Sequence, residues 1–335
     1  MRLFLSVIWS ISIQRWDKRR AMDLSNKVES RIIPHQGRDS TRQVLLVGPV
    51  SGYRVSPMDV GIATALTDRA MSPDHLARAV EERGFASLYL PEHTHLPLRQ
   101  DLPPALVEGV HLDDYRRSFD PMVALAAAAA VTGRIRLGTG VLLVAQHDPV
   151  VLAKQLASLD VLSRGRLTLG VGYGWNRAEA EDHRVDFSRR RAIAHEKLAC
   201  MNALWRDHPA EFHGEHVDLP PCWSYPKPVQ ESGIPILIGA AAGEQLFSAI
   251  AEHADGWMPI GGAGIRGALP VLGEAMEKVG RDPATLRVVP FGIIPDKGKM
   301  DYYESLGVRE VTVRLPSGSA AEMLGALDRF TAFLD

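Results

Sequence analysis

From Met58 onward the chain alternates short apolar runs with stretches whose apolar residues recur at helical spacing. The runs lie near 58–65, 86–91, 135–141, 166–171, 235–239, 256–260, 287–294 and 308–314. Each has the length of a buried strand. Helix punctuation separates them. Ser72-Pro73-Asp74 combines a capping residue, a proline at the first helical position and an acid in the first turn, and Gly84 ends that segment. Asp120-Pro121 opens an alanine-rich helix that stops at Gly133. Asp148-Pro149 opens another, with Leu152, Leu156 and Leu159 on one face and Gly165 past its end. Asp282-Pro283 repeats the device before the seventh run.

One strand-and-loop is written twice. Arg134-Ile135-Arg136-Leu137-Gly138-Thr139-Gly140 returns as Arg166-Leu167-Thr168-Leu169-Gly170-Val171-Gly172, with a helical segment between. A strand rejoins a sheet in parallel only through such a crossover, so the two glycine loops lie side by side on one sheet edge. Eight strand–helix units predict an α/β fold, a (β/α)8 TIM barrel over 58–335. Two inserts interrupt it, His93–Phe119 after strand two and His208–Ser232 before strand five. A doubly wound sheet is the alternative. Its dinucleotide loop would be Gly170-x-Gly172-x-Gly174, but the spacing is GxGxG rather than GxGxxG, and it follows the fourth strand instead of the first.

The first 57 residues differ from the rest. They hold 10 Lys and Arg against 4 Asp and Glu, while the remainder holds 28 against 36. Residues 1–57 are therefore expected to be an extension outside the folded domain, with Met58 a candidate true start. Leu3–Ile13 is apolar but too short to span a bilayer. Its basic cluster follows rather than precedes it, against the order of a secretory signal. A net charge of −2 argues against nucleic-acid and membrane partners. Two cysteines without CxxC spacing point to a reduced, cytoplasmic setting.

Barrel sites form at the C-terminal strand ends. Here those ends carry Glu92-His93-Thr94-His95, Gly138-Thr139-Gly140-Val141, Gly172-Tyr173-Gly174-Trp175-Asn176, Gly239-Ala240-Ala241-Ala242-Gly243 and Gly256-Trp257-Met258-Pro259. Glycine-rich backbone at helix starts suits a phosphate, because free N–H groups and the helix dipole favour an anion. Trp175 and Trp257 are candidate walls for a flat ring. His93 is the candidate acid/base, since imidazole titrates near neutral pH. Neither His93-x-His95 nor His213-x-x-His216 has a third ligand at recognisable spacing, so no metal is expected. Arg189-Arg190-Arg191 reads as a solvated helix face with one buried salt bridge, and Cys200 as a small core residue.

These motifs resemble the bacterial luciferase-like superfamily, and in particular its F-420-dependent oxidoreductases. The carriers are Leu90-Pro91-Glu92-His93-Thr94-His95-Leu96-Pro97, Arg136-Leu137-Gly138-Thr139-Gly140-Val141 and Gly170-Val171-Gly172-Tyr173-Gly174-Trp175-Asn176. Trp223-Ser224-Tyr225-Pro226-Lys227-Pro228-Val229-Gln230 and Asp255-Gly256-Trp257-Met258-Pro259-Ile260 add to them. The resemblance implies a deazaflavin, coenzyme F-420, bound at the strand ends, often in a homodimer. It implies hydride transfer between the deazaflavin and a small organic substrate, with His93 as acid/base and Glu92 orienting its imidazole. The coenzyme is expected against Gly140, Val141, Gly172, Gly174, Trp175, Asn176, Gly239, Ala240, Gly243 and Trp257. A bulge with a cis bond between Gly140 and Val141 is expected to back the ring. The alternative chemistry on the same barrel is that of an FMN-dependent two-component monooxygenase fed by a partner reductase. A barrel that binds a flavin or deazaflavin without catalysis is a further alternative.

A chain beginning at Met58 is expected to fold and bind coenzyme as the full chain does. Soluble yield and coenzyme titration of the truncated protein check this, and loss of soluble expression would count against it.

Overall fold

The computed structural model describes residues 58–99 and 112–334, so the expectation for residues 1–57 lies outside the described residues. The elements follow in chain order. The first are β1 (Asp59–Ala63), α1 (Pro73–Glu82), β2 (Ser87–Leu90), α2 (Leu112–Arg117), α3 (Pro121–Val131) and β3 (Arg136–Leu142). Then come α4 (Pro149–Ser163), β4 (Leu167–Val171), α5 (Arg177–Asp182), α6 (Arg190–Arg206), β5 (Ala210–His213) and β6 (Asp218–Cys222). The last are β7 (Ile236–Ile238), α7 (Glu244–His253), β8 (Gly256–Trp257), α8 (Ile265–Lys278), β9 (Arg287–Val288), α9 (Lys297–Ser305), β10 (Glu310–Arg314) and α10 (Ala320–Phe330).

Eight strands form one parallel sheet in the order β10-β1-β2-β3-β4-β7-β8-β9. Its two ends meet past β9, where Ile293 N–H donates to Thr312 O at 2.9 Å and Arg314 N–H to Ile293 O at 3.0 Å. The sheet is thereby a near-closed barrel, flanked by helices. Among the described residues no helix is long and apolar enough to cross a membrane.

Two of the aspartate caps work as local chemistry requires, while Ser72 stands at the N-cap of α1 without a side-chain cap hydrogen bond. Asp120 accepts the N–H of Val123, and Asp148 those of Val150 and Val151, so each caps the helix whose proline follows it. Leu152, Leu156 and Leu159 are all buried against the sheet, each contributing on the order of 1.5–3 kcal/mol by leaving water. Asp282 differs. It caps only a 3₁₀ turn, Pro283–Thr285, because β9 begins two residues later and leaves no room for a helix.

Strands eight and nine are shorter than the apolar runs. Pro259 and Pro290 lack the N–H a ladder needs, and pairing resumes beyond them only as isolated bridges, Ile260 to Phe291 and Ile293 to Val313. The second insert holds an unexpected antiparallel hairpin, β5–β6. Its second strand reads Asp218-Leu219-Pro220-Pro221-Cys222, and two prolines hide it from a propensity reading. Glu196 of α6 ties the hairpin down by accepting the N–H groups of Glu215, His216 and Val217.

The register of β3 against β4 shifts between Gly140 and Leu142, and the Gly140–Val141 bond is cis. This bulge stands at the end of the barrel where the loops of the next section gather.

Candidate functional site

A cavity of about 350 Å³ opens at the C-terminal strand ends, within the size range of small-molecule sites. Its floor is the β3 bulge with the loops after β4 and β7: Gly140, Val141, Gly172, Gly174, Gly239 and Ala240 all line it. Val141 explains two of those glycines. A Cβ at Gly172 would lie 2.3 Å from Val141 Cγ2, and one at Gly239 would lie 2.7 Å from Val141 Cγ1. The glycines make room for a neighbouring side chain, which then presents itself to the cavity.

His93 follows β2 and is almost wholly buried. Its Nδ1 lies 2.8 Å from Oε2 of Glu179, a carboxylate whose side chain is 1% exposed. The other oxygen of Glu179 accepts the N–H of Thr94 at 3.1 Å. With Nδ1 facing the carboxylate, Nε2 is the nitrogen left for a ligand. Two aromatic rings frame the imidazole: Tyr115 of α2, with centroids 4.7 Å apart, and Trp175, at 5.6 Å. Burial raises the Tyr115 hydroxyl above the ordinary phenol range.

This corrects the expected role of Glu92. Its carboxylate lines the cavity but does not orient His93. One oxygen accepts the N–H of Leu143 at 2.6 Å, and the other meets Nε2 of His147 at 2.7 Å. Glu92 fixes the chain just after the bulge. Burial disfavours a charged His147, yet the hydrogen bond and charge of Glu92 outweigh it and hold the imidazole above its usual pKa.

Three other expected contacts are displaced. Trp257 is 1% exposed, packs edge-on against Phe247 and donates Nε1–H to Ala240 O, so it supports the cavity wall from the core. Asn176 caps α5, accepting the N–H of Glu179, and so sets the residue that holds His93. Gly243 is the N-cap of α7 and does not line the cavity.

The arginine run divides. Arg189 pairs at the surface with Glu215, whereas Arg190 and Arg191 line the cavity, in place of the expected solvated face with one buried salt bridge. Arg190 stacks on Phe187 and donates to Gly174 O; Arg191 lies over the ring of Tyr173. Burial pushes Tyr173 up to about 12 and His195 down to about 4, so the Tyr173 hydroxyl donates to a neutral His195 at 2.7 Å. Glu179, Tyr115, Arg190 and Arg314 join the cavity or its support from distant segments. Only Glu179 had a local signal, three residues past a capping Asn.

A family model described as luciferase-like monooxygenase matches residues 63–295. The chain belongs to the luciferase-like monooxygenase family. A Mycobacterium tuberculosis protein described as uncharacterized is 41% identical over 280 residues, covering 83% of this chain and 99% of that protein. Among solved structures, the monooxygenase RslO1 from Streptomyces bottropensis aligns with a TM-score of 0.67 at 20% identity, covering 83% of this chain and 98% of that one. An F-420-dependent secondary alcohol dehydrogenase aligns at 0.58 and 17% identity, covering 83% and 91%. The FMN-bound oxygenating constituent of 3,6-diketocamphane monooxygenase from Pseudomonas putida aligns at 0.55 and 17% identity, covering 75% and 71%. These three likenesses show the shared barrel.

The Glu92–His147 pair generates a signed pH effect. Because the folded state holds His147 above the ordinary imidazole value of 6.5, the pair's stabilisation is complete below that value and is lost as pH rises through the folded pKa. Chemical denaturation from pH 6 to 9 is expected to show this loss in the wild type and to show less of it in His147→Gln. Equal pH slopes in the two proteins would refute the pairing.

Proposed function

We propose that the protein is a coenzyme F-420-dependent oxidoreductase that moves a hydride between the deazaflavin and a small organic substrate. The observation that carries this reading is the buried His93–Glu179 pair beside a cavity floored by Val141. The residues present suit such a coenzyme. An apolar side chain on the bulge faces the space for a flat ring, and Gly172, Gly174 and Gly239 keep the adjoining loops low. Arg190 and Arg191 bring positive charge to the β4 side, where the phosphate is placed.

When bound, the deazaflavin supplies two-electron hydride chemistry that no side chain here possesses. His93 Nε2 takes the hydroxyl proton of an alcohol as its carbon is oxidised, and gives a proton to the carbonyl oxygen in the reverse direction. Glu179 holds the ring by Nδ1 and stabilises the imidazolium that forms, as a positioning residue. Tyr115 and Trp175 shield the imidazole from water.

Titration of the purified chain with F-420 and with FMN, followed by absorption, tests the coenzyme. A panel of secondary alcohols and ketones then tests turnover. His93→Ala is expected to lower turnover about 10²–10⁴-fold while coenzyme affinity changes far less. Tight FMN binding with no F-420 binding would favour the two-component monooxygenase instead. Coenzyme binding without turnover of any donor would favour a non-catalytic carrier.

A homodimer is part of the same reading. Val123 of α3 and Val150, Val151 and Leu162 of α4 are apolar yet exposed, and a cluster of exposed apolar side chains ordinarily marks a contact with a neighbour. Sedimentation equilibrium is expected to give a dimer that Val151→Glu weakens; a monomeric wild type would refute it.

A further inference from the structure

The rim carries a second polar pole that the coenzyme reading does not use. Thr64 follows β1 and is 4% exposed, and its Oγ1 is buried without a hydrogen-bond partner. Buried hydroxyls are ordinarily paired, and an orphan of this kind marks a position where a ligand atom belongs. Thr64 lines the cavity. Arg314, at the end of β10, lines it too, its guanidinium passing over Gly292.

Strand order fixes where this pole stands. In the order β10-β1-β2-β3-β4-β7-β8-β9, β1 is four strands from β7, and β10 is four strands from β4. Thr64 and Arg314 therefore face the glycine loops after β7 and β4 from across the barrel mouth. Taking the β4 and β7 loops as the coenzyme's phosphate end, as proposed above, leaves the opposite rim to the substrate. His93, after β2, adjoins that rim next to Thr64's strand.

The chemistry of the pole is selective. Thr64 offers one hydroxyl and Arg314 a fork of N–H donors, which together match an oxygen acceptor bearing negative charge. The walls beside them, Tyr115, Phe291 and Leu315, are aromatic or aliphatic. Asp114 of α2 also lines the cavity and opposes an anion there.

We propose that Thr64 and Arg314 form a substrate subsite for an anionic oxygen group, a carboxylate in the simplest case, carried on an apolar body. The reacting alcohol or carbonyl then faces His93 while the carboxylate is held on the far side of the same half of the rim. The subsite rests on the proposed placement of the coenzyme and names the class of substrate that placement admits.

Calorimetric titration of benzoate and of benzyl alcohol into the full chain, with and without F-420, tests the subsite. Benzoate is expected to bind at least about tenfold more tightly than benzyl alcohol. Thr64→Val keeps the side chain's shape and removes the hydroxyl. It and Arg314→Gln are each expected to weaken benzoate about tenfold or more, with F-420 affinity unmoved. Asp114→Asn is expected to tighten benzoate. Equal affinities for the two probes, or benzoate binding indifferent to Thr64→Val and Arg314→Gln, would overturn the subsite. So would benzoate binding that F-420 abolishes, since the pole would then belong to the coenzyme. If F-420 fails to bind the wild type, the coenzyme reading falls by itself, and benzoate binding to the coenzyme-free chain still decides the subsite.

Discussion

The carboxyl group of Glu179 sits in the interior, where a polar group is tolerated only if neighbours replace the water it has lost. Its two oxygens find those neighbours 85 and 86 residues earlier in the chain, at Thr94 N–H and His93 Nδ1. The loop after β2 cannot shift without leaving those oxygens unpaired. Asn176 in turn fixes the start of α5, and so the height of the carboxylate above the barrel. The positions of His93 and of the Thr94 backbone follow from keeping one buried carboxyl group satisfied.

A complementary constraint is steric. Val141 fills the volume that Cβ atoms at Gly172 and Gly239 would need, and Phe291 fills the one at Gly140. Three loops from three strands are consequently cut to fit side chains of other strands. The polar lock at Glu179 and this packing lock act on neighbouring strand ends, from β2 through β3 and β4 to β7. Beneath them, the interior of the barrel is sealed by Tyr89, whose hydroxyl shares Glu310 with Ser87.

How much of this is legible in the sequence depends on how local each cause is. The eight strand–helix units, the capping aspartates and the paired glycine loops are written in short windows, and the structure contains them. The cavity-lining part of the glycine set is legible for the same reason. The partner of His93 is not, because adjacency in the chain favours Glu92, whereas the fold gives that carboxylate to Leu143 and His147. Trp257 shows a further limit. A tryptophan at a strand end reads as a wall for a ring, and only the packing of Phe247 reveals that it faces the core. The hairpin β5–β6 escapes for want of the propensity that strands normally display, its two prolines being tolerated because that sheet has only two strands.

Tyr115 enters the cavity from α2, within the insert that follows β2, and not from a barrel strand. That helix is fastened to the loop after β1 by Arg117 to Asp68 and by Arg69 to Asp113, and by backbone pairing of Thr67 with Ser118. The start of this insert, at His93 and Thr94, is thus held by Glu179, while its far end is held by the loop after β1. A change between these two anchors alters what stands beside His93 while leaving both ends of the insert tied. Variation of the cavity wall is thereby uncoupled from the anchoring of the imidazole.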